Sequence, residues 1–401
     1  MDFIPLTRPF LSASAISAII SAVVSGDLPG NGSYSERARL ELQKITKTKH
    51  VSLTTSCSHS LELSCAMVRE HSVGVGRDEV ILPSFTFTST ANAVLNAGLK
   101  VVFADVEPET MNLDANDAAR KINSKTAAIM PVHYAGVAAD MDAFRALAGK
   151  DIFLVEDAAQ GIGAYWKDKH LGSIGDMGCI SFHGTKNISC GEGGAFLTAN
   201  EDIAQKAEIY IEKGTNRTQF LRGIVDKYTW VSRGSSYVIA EPLAALLEAN
   251  LPEADEIAAQ RRRIYERYMT AFAEFANTES VRLPVIPDYA KPNGHLFYFL
   301  LPSQNERDEM MHYLHRQKIC AAFHYVPLHS SPMGCALGFR PEDCPVSEEL
   351  AGRLLRLPLY TQLTHEQQDY IIENVTAKLR GHADNCNFRP NKQPFQLRRL
   401  G

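Results

Sequence analysis

Between residues 50 and 200, short apolar runs alternate with segments whose apolar residues recur every three to four positions. VSLTTS, DEVILPSF, KVVFADV, AAIMPVHY, DIFLVEDA, CISFHG and GAFLTA are rich in Val, Ile and Phe and read as strands. Between them, HSLELSCAMVREH, TSTANAVLNAG, LDANDAARKIN and DMDAFRALAGK have helical spacing, with Asp114 a candidate N-cap. This alternation predicts an α/β fold with a mostly parallel sheet covered on both faces. Ligands are then expected at the carboxyl ends of the strands.

A long helical stretch, AEPLAALLEANLPEADEIAAQRRRIYERYMTAFAEF, follows, with Pro242 and Pro252 limiting its continuity. Beyond it, HLFYFLL, RDEMMHYLHRQ, AAFHYVPLH and HEQQDYIIENVTAKL alternate strand and helix again, as a small α+β domain would. The organisation expected is an irregular N-terminal arm over residues 1–35, rich in Pro, Gly and Ser, and a large domain over 36–250. A small C-terminal domain over 251–380 and a poorly ordered tail over 381–401 complete it.

Composition narrows the function classes. A formal net charge of -5, with no basic block before the tail, argues against nucleic acid as the main partner. Eight cysteines without a CxxC pair suggest reduced thiols, not a disulfide framework or a metal site. No basic-then-apolar leader opens the chain, and AISAIISAVVSG is too short and serine-rich to span a bilayer, so a cytoplasmic protein without membrane insertion is expected.

The candidate chemistry lies in residues 151–197. DIFLVEDAAQ ends a buried-strand run with Asp157 and Gln160, and CISFHGTKNISCGEGGAF places Lys186 in a turn before a Gly-rich return. An acid at the mouth of one strand and a lysine just beyond the next is what a pyridoxal 5'-phosphate enzyme requires. The lysine amine forms a Schiff base with the cofactor aldehyde, and the carboxylate keeps the pyridine nitrogen protonated. A solvated surface lysine and a helix-capping aspartate are the bland alternatives.

SFHGTKN followed by GEGG resembles the lysine motif of the DegT/StrS family of sugar-nucleotide aminotransferases, and the resemblance extends over about residues 5–380. It implies the fold-type I architecture, pyridoxal 5'-phosphate as cofactor, and a homodimer with shared active sites. Its VEDAAQ stretch implies that Asp157 pairs with the pyridine nitrogen and Gln160 meets the ring's phenolic oxygen. TTSCSHSLELSCA supplies a Ser/Thr-rich turn entering a helix, where Ser58 and the His59 amide would hold the phosphate. His59 is a departure, since alanine is usual there, and its side chain must point elsewhere. Ser181 would add a hydroxyl contact. Phe87, with Phe85 as rival, would stack on the ring. In GSSYVIAEPLAAL, Ser236 stands where a partner-subunit Asn usually meets the phosphate, and Val238 where an Arg is usual.

On the substrate side, HLFYF and AAFHYVPLHSSP resemble small-domain signatures of the family. They make His295, His324, Tyr325 and His329 candidates for lining a nucleotide-sugar cleft, though each histidine is equally compatible with a structural role. KGTNRTQFLRGIVDKYTW, residues 213–230, suits a diphosphate and a base, or is a solvated loop. The resemblance implies L-glutamate as amino donor and a dTDP-linked 4-oxo-6-deoxy sugar as acceptor. A C3 aminotransferase, another sugar-modifying enzyme of this fold, and a non-catalytic nucleotide-sugar-binding regulator are the alternatives. The retained Lys186 counts against a dehydratase.

Overall fold

The computed structural model describes residues 2–26, 28–276, 278 and 280–381. The central sheet takes β1 (His50–Thr54), β2 (Glu79–Pro83), β3 (Lys100–Ala104), β4 (Thr126–Ile129) and β5 (Phe153–Ala158). After a short hairpin of β6 (Tyr165–Trp166) and β7 (Lys169–His170), it adds β8 (Met177–Ser181) and β9 (Gly194–Thr198). The order across the sheet is β1-β9-β8-β5-β4-β2-β3. Only β9 runs antiparallel to its neighbours, β1 and β8; the other pairings are parallel. Each strand-like run between residues 50 and 200 contributes one of these strands. They are buried on both faces, so they read as continuous apolar runs.

Helices α1 (Ala15–Ser25), α2 (Ser33–Thr46), α3 (Cys57–Ser72), α4 (Thr88–Asn96), α5 (Ala115–Lys121), α6 (Met141–Ala148) and α7 (Glu201–Ile211) surround this sheet. Asp114 caps α5 by accepting a hydrogen bond from the Asn116 amide at 2.8 Å. The expectation of an irregular arm over residues 1–35 is corrected by α1, which buries Ala15 and Ala22 and ends on Gly26 at φ 74°. Small residues there let α1 pack on α9 (Glu241–Asn250), a contact that serine-rich composition concealed. Between α7 and α9, the 213–230 segment forms only the short α8 (Arg217–Leu221).

The long helical stretch breaks where Pro252 sits, in a 3₁₀ turn over Leu251–Glu253, before α10 (Ala254–Ala276). Pro242 lies in the first turn of α9, where no hydrogen bond is lost. Strand β10 (Ala290–Lys291) joins the β6–β7 hairpin, and β11 (Phe297–Leu300) pairs with β12 (Leu354–Leu357) after α11 (Gln304–Arg316), α12 (Pro332–Ala336) and α13 (Pro345–Arg353). Phe297, Phe299, Leu355 and Leu357 enter a second core with Tyr268 and Phe272 of α10 and with α14 (His365–Leu379). Alternate residues Tyr298, Leu300 and Leu354 face the first core, as the two-residue period of a strand requires. The expected tail begins at residue 381, and its residues 382–401 lie outside the described ones.

Candidate active site

A cavity of about 1140 Å³ opens beside the carboxyl ends of β1, β2, β5 and β8, with residues near β11 and β12 forming its opposite wall. Strand β9 runs the other way and delivers Gly193 to the same edge. Of the residues singled out from sequence, Ser58, Phe87, Asp157, Gln160, Ser181, Lys186, His295, His324 and Tyr325 line it. His59, Ser236 and His329 do not.

Lys186 sits in the connection that turns β8 back into β9. Its Nζ makes no hydrogen bond or ion pair with any described side chain, and burial holds its pKa below the ordinary lysine value. Asp157, near the end of β5, is almost wholly buried. Its Oδ2 accepts from Thr90 Oγ1 at 2.8 Å and its Oδ1 from the Ala159 amide at 3.1 Å. Burial raises its pKa, while these two bonds and then the Lys186 charge pull it back. A buried carboxylate so poised is completed by a cation placed against it.

The start of α3 borders the cavity at Ser56, Cys57 and Ser58. Ser56 caps the helix by accepting from the His59 amide at 3.2 Å, and Ser58 Oγ lies 2.7 Å from Ser89 Oγ. The first N–H groups of a helix and its dipole together favour an anion. Strand β9 approaches this turn so closely that a Cβ on Gly194 would stand 2.5 Å from the Cys57 nitrogen. The His59 ring points away, stacking on Tyr237 at 4.2 Å and bonding to Thr55 Oγ1. Buried Ser181 lies across the cavity floor.

Phe85 and Phe87 have opposite fates. Phe85 is fully buried, edge-on to Tyr134 and Tyr325, whereas Phe87 is 57% exposed on the cavity wall. Gln160 is held at both ends: Oε1 accepts from the Ala135 amide at 2.7 Å and Nε2 donates to Tyr325 Oη at 3.0 Å. One amide hydrogen remains uncommitted. Tyr325 is kept at φ 49°, a left-handed conformation unfavourable for a bulky residue, beneath a ring stack with His324 at 3.7 Å. His324 Nδ1 pairs with Tyr134 Oη at 2.9 Å, and His295 Nδ1 with Asn187 Oδ1 at 2.9 Å. Burial first, then nearby cations, hold both histidines well below their ordinary pKa, so they are neutral.

The expectation for His329 is corrected. It is wholly buried, with Nδ1 bonded to Ser84 Oγ and Nε2 to the Pro341 carbonyl at 3.1 Å, and it does not reach the cavity. Ser236 is exposed, with its backbone bridging to Glu212. Sequence reasoning missed Thr90, Tyr134 and Arg356. A lone arginine inside the apolar run LLRLPL was a signal available for the last.

A family model described as the DegT/DnrJ/EryC1/StrS aminotransferase family matches residues 11–376. The chain belongs to this family. Among its relatives is the pleiotropic regulatory protein of Geobacillus stearothermophilus, 31% identical over 88% of this chain and 91% of its own length. Another is the spore coat polysaccharide biosynthesis protein SpsC of Bacillus subtilis, 30% identical over 94% of this chain and 98% of its own. The structure of Spr1654 from Streptococcus pneumoniae, in its PMP form, superposes with a TM-score of 0.85 at 25% identity, covering 95% of this chain and 99% of that one.

The protein is therefore a sugar aminotransferase of fold type I that uses pyridoxal 5'-phosphate. The donor set fits that cofactor: a helix start for the phosphate, a buried carboxylate for the ring nitrogen, and a lysine without an ion-pair partner among the described residues. Among the described residues no cluster of metal-ligating side chains occurs, and no helix is long and apolar enough to cross a membrane.

Proposed function

We propose that this aminotransferase transfers the amino group of L-glutamate to C4 of dTDP-4-oxo-6-deoxy-D-glucose, giving the 4-amino-4,6-dideoxy sugar. The observation that carries the reading is that Lys186 and Asp157 share one cavity, whose size exceeds the ~300–1,000 Å³ of ordinary small-molecule pockets. A nucleotide-linked sugar needs that room. PVHYAGV, EKGTNR, VDKYTW, GSSY and FHYVPLH resemble the transaminase that makes dTDP-4-amino-4,6-dideoxygalactose for enterobacterial common antigen. The name of the SpsC relative, a polysaccharide biosynthesis protein, agrees with such a role.

Pyridoxal phosphate, when bound, supplies an aldehyde that carries the amino group and a ring that accepts negative charge from the neighbouring carbon. In this reading Lys186 would hold the cofactor through Nζ. The freed Nζ, whose pKa burial lowers, would take the proton from the donor's Cα and later deliver one to the sugar carbon. Asp157, fixed by the Thr90 bond, would pair with the ring nitrogen and keep it protonated. Gln160 would offer its free amide hydrogen to the ring oxygen. Phe87 would pack on the ring face, and Ser58, Ser181 and the α3 amides would hold the phosphate.

Ser236 is exposed and lies apart from the cavity of its own chain, which supports its donating to the phosphate of a second subunit in a homodimer. His295, His324 and Tyr325 form the sugar side, while the 213–230 segment does not line this cavity and pairs Lys213, Arg217 and Arg222 with Glu212 and Glu208. Residues 36–250 act as the cofactor-binding domain and 251–380 as the opposing one.

The test is incubation of the purified protein with L-glutamate and dTDP-4-oxo-6-deoxy-D-glucose, with the product read by mass and NMR. A 4-amino sugar, abolished by Lys186→Ala, is the expected result. A 3-amino product would replace the regiochemistry. Glutamate-dependent change in cofactor absorbance with an untouched sugar would overturn the acceptor, and no response to glutamate would favour a regulator.

A further inference from the structure

The turn that opens α3 is gripped from outside the cavity by a single residue. Tyr237 follows the exposed Ser236 in the stretch between α8 and α9, and is itself buried. Its carbonyl accepts from the Thr55 amide at 2.9 Å, just ahead of the helix. Its ring lies 4.2 Å from the His59 ring, with the two planes 9° apart. Its hydroxyl donates to Glu62 Oε2 at 2.5 Å, about one turn further along α3, and Asn96 Nδ2 holds the other oxygen of that carboxylate at 2.8 Å. Thr55, His59 and Glu62 thus share one partner. His59 Nδ1 is in turn bonded to Thr55 Oγ1, which closes the group. Against the same turn stands the backbone of β9, where a Cβ on Gly194 would meet the Cys57 nitrogen at 2.5 Å.

We propose that Tyr237, stacked on His59, is a positioning residue that sets the α3 turn for the cofactor phosphate. This rests on the reading that the phosphate binds at that helix start. The His59 amide is already taken by the Ser56 cap at 3.2 Å, and its ring is turned to Tyr237 and Thr55. What His59 adds to the site is therefore the stack. The N–H groups of a first helical turn favour an anion together, so their use depends on the turn keeping its shape. A turn that had to be ordered at each binding event would lose affinity to that ordering, and one already fixed does not. Filling the space beside α3 would need only an apolar ring at position 237. The parallel stack and the hydroxyl bond to Glu62 are directional, and they set the height and rotation of the turn as well as covering it.

The experiment titrates the full-length, cofactor-free protein with pyridoxal 5'-phosphate and, separately, with pyridoxal, which lacks the phosphate. Wild type is compared with His59→Ala, His59→Phe, Tyr237→Phe and Ser58→Asp, with binding read from absorbance and the fold of each verified by its melting temperature. His59→Ala should lose about three- to tenfold in affinity for pyridoxal 5'-phosphate, as for a lost ring pair, while pyridoxal affinity holds within about twofold. Tyr237→Phe keeps the stack and loses only the Glu62 bond, and should show a phosphate-specific loss of about three- to tenfold. His59→Phe restores a stacking ring and should recover most of the affinity. Equal losses for the two ligands overturn the inference, because a general packing contact would weaken both. Ser58→Asp sets a carboxylate in the turn. If its affinity for pyridoxal 5'-phosphate is that of wild type, the phosphate binds elsewhere and the reading of the site falls with this inference. If Ser58→Asp loses that affinity while His59→Ala and Tyr237→Phe keep it, this inference alone falls.

Discussion

Gln160 Nε2 donates a hydrogen bond to Tyr325 Oη at 3.0 Å, joining the end of β5 to a loop from the opposite wall of the cavity. The bond spans 165 residues of sequence and fixes the amide plane of Gln160 together with the Ala135 contact. Tyr325→Phe removes only the acceptor oxygen. Loss of a bond worth about 1 kcal/mol should lower kcat/KM for glutamate about three- to tenfold, with the melting temperature nearly unchanged. A variant with wild-type kinetics would mean that Gln160 is positioned by Ala135 alone.

Thr90 is the side chain that holds Asp157 Oδ2, and Thr86 Oγ1 lies 2.9 Å behind it. The Thr90 bond favours the ionised carboxylate, whereas burial disfavours it. In Thr90→Val the lowering contribution goes, so the Asp157 pKa rises and the acid limb of the pH–kcat profile moves to higher pH. At neutral pH kcat should fall about tenfold, and Thr90→Ser should recover most of it. An acid limb that stays in place would separate Thr90 from the titration of Asp157.

The central sheet was legible because its strands are buried on both faces, and β-branched and aromatic runs of that kind have few other solutions. The lysine and aspartate were legible because each lies within a few residues of a strand end, so local pattern carried them. Three features depended on contacts far apart in sequence. Helix α1 hides among serines, and its small buried face makes sense only against α9. His324 and His329 look alike in FHYVPLH, but Tyr134 draws one to the cavity while Ser84 and Pro341 enclose the other. Thr90 is unremarkable as a letter and Arg356 stands out only against its apolar neighbours; tertiary packing brings them to Asp157 and to the wall opposite Lys186.

Phe85 and Phe87 provide a paired test of core against site. Phe85→Ala empties a fully buried ring position and should cost about 3–5 kcal/mol of stability in chemical denaturation. Phe87→Ala should change stability by less than about 1 kcal/mol, since the ring is already largely exposed. Its effect should fall on the cofactor, with affinity weakened about three- to tenfold by the lost stacking. If Phe87→Ala leaves cofactor affinity intact, the stacking role is wrong.

His329 should behave as a structural residue. His329→Ala deletes a buried ring and strands the Ser84 hydroxyl and the Pro341 carbonyl, for a loss of about 2–4 kcal/mol. KM for the nucleotide sugar should remain within about twofold at temperatures where the variant is folded. A large KM increase without a fall in melting temperature would return His329 to the substrate cleft.

Lys186 has a measurable consequence before any cofactor binds. Burial lowers its pKa in the folded chain, outweighing the opposing influence of Asp157 and Cys57. A lysine depressed in this way is charged at a cost: stability is highest above its unfolded pKa, where both states are neutral, and is lost as pH falls through the folded pKa. Lys186→Met, which has no charge to bury, should therefore raise the melting temperature of the cofactor-free protein at pH 7. The advantage should shrink as pH rises from the folded pKa towards the ordinary lysine value and vanish above it. Thermal unfolding of both proteins across that range is the measurement. A constant difference would assign the effect to packing of the methionine, and a lower melting temperature for the variant would show that the Lys186 ammonium is stabilised by its neighbours in the cofactor-free cavity.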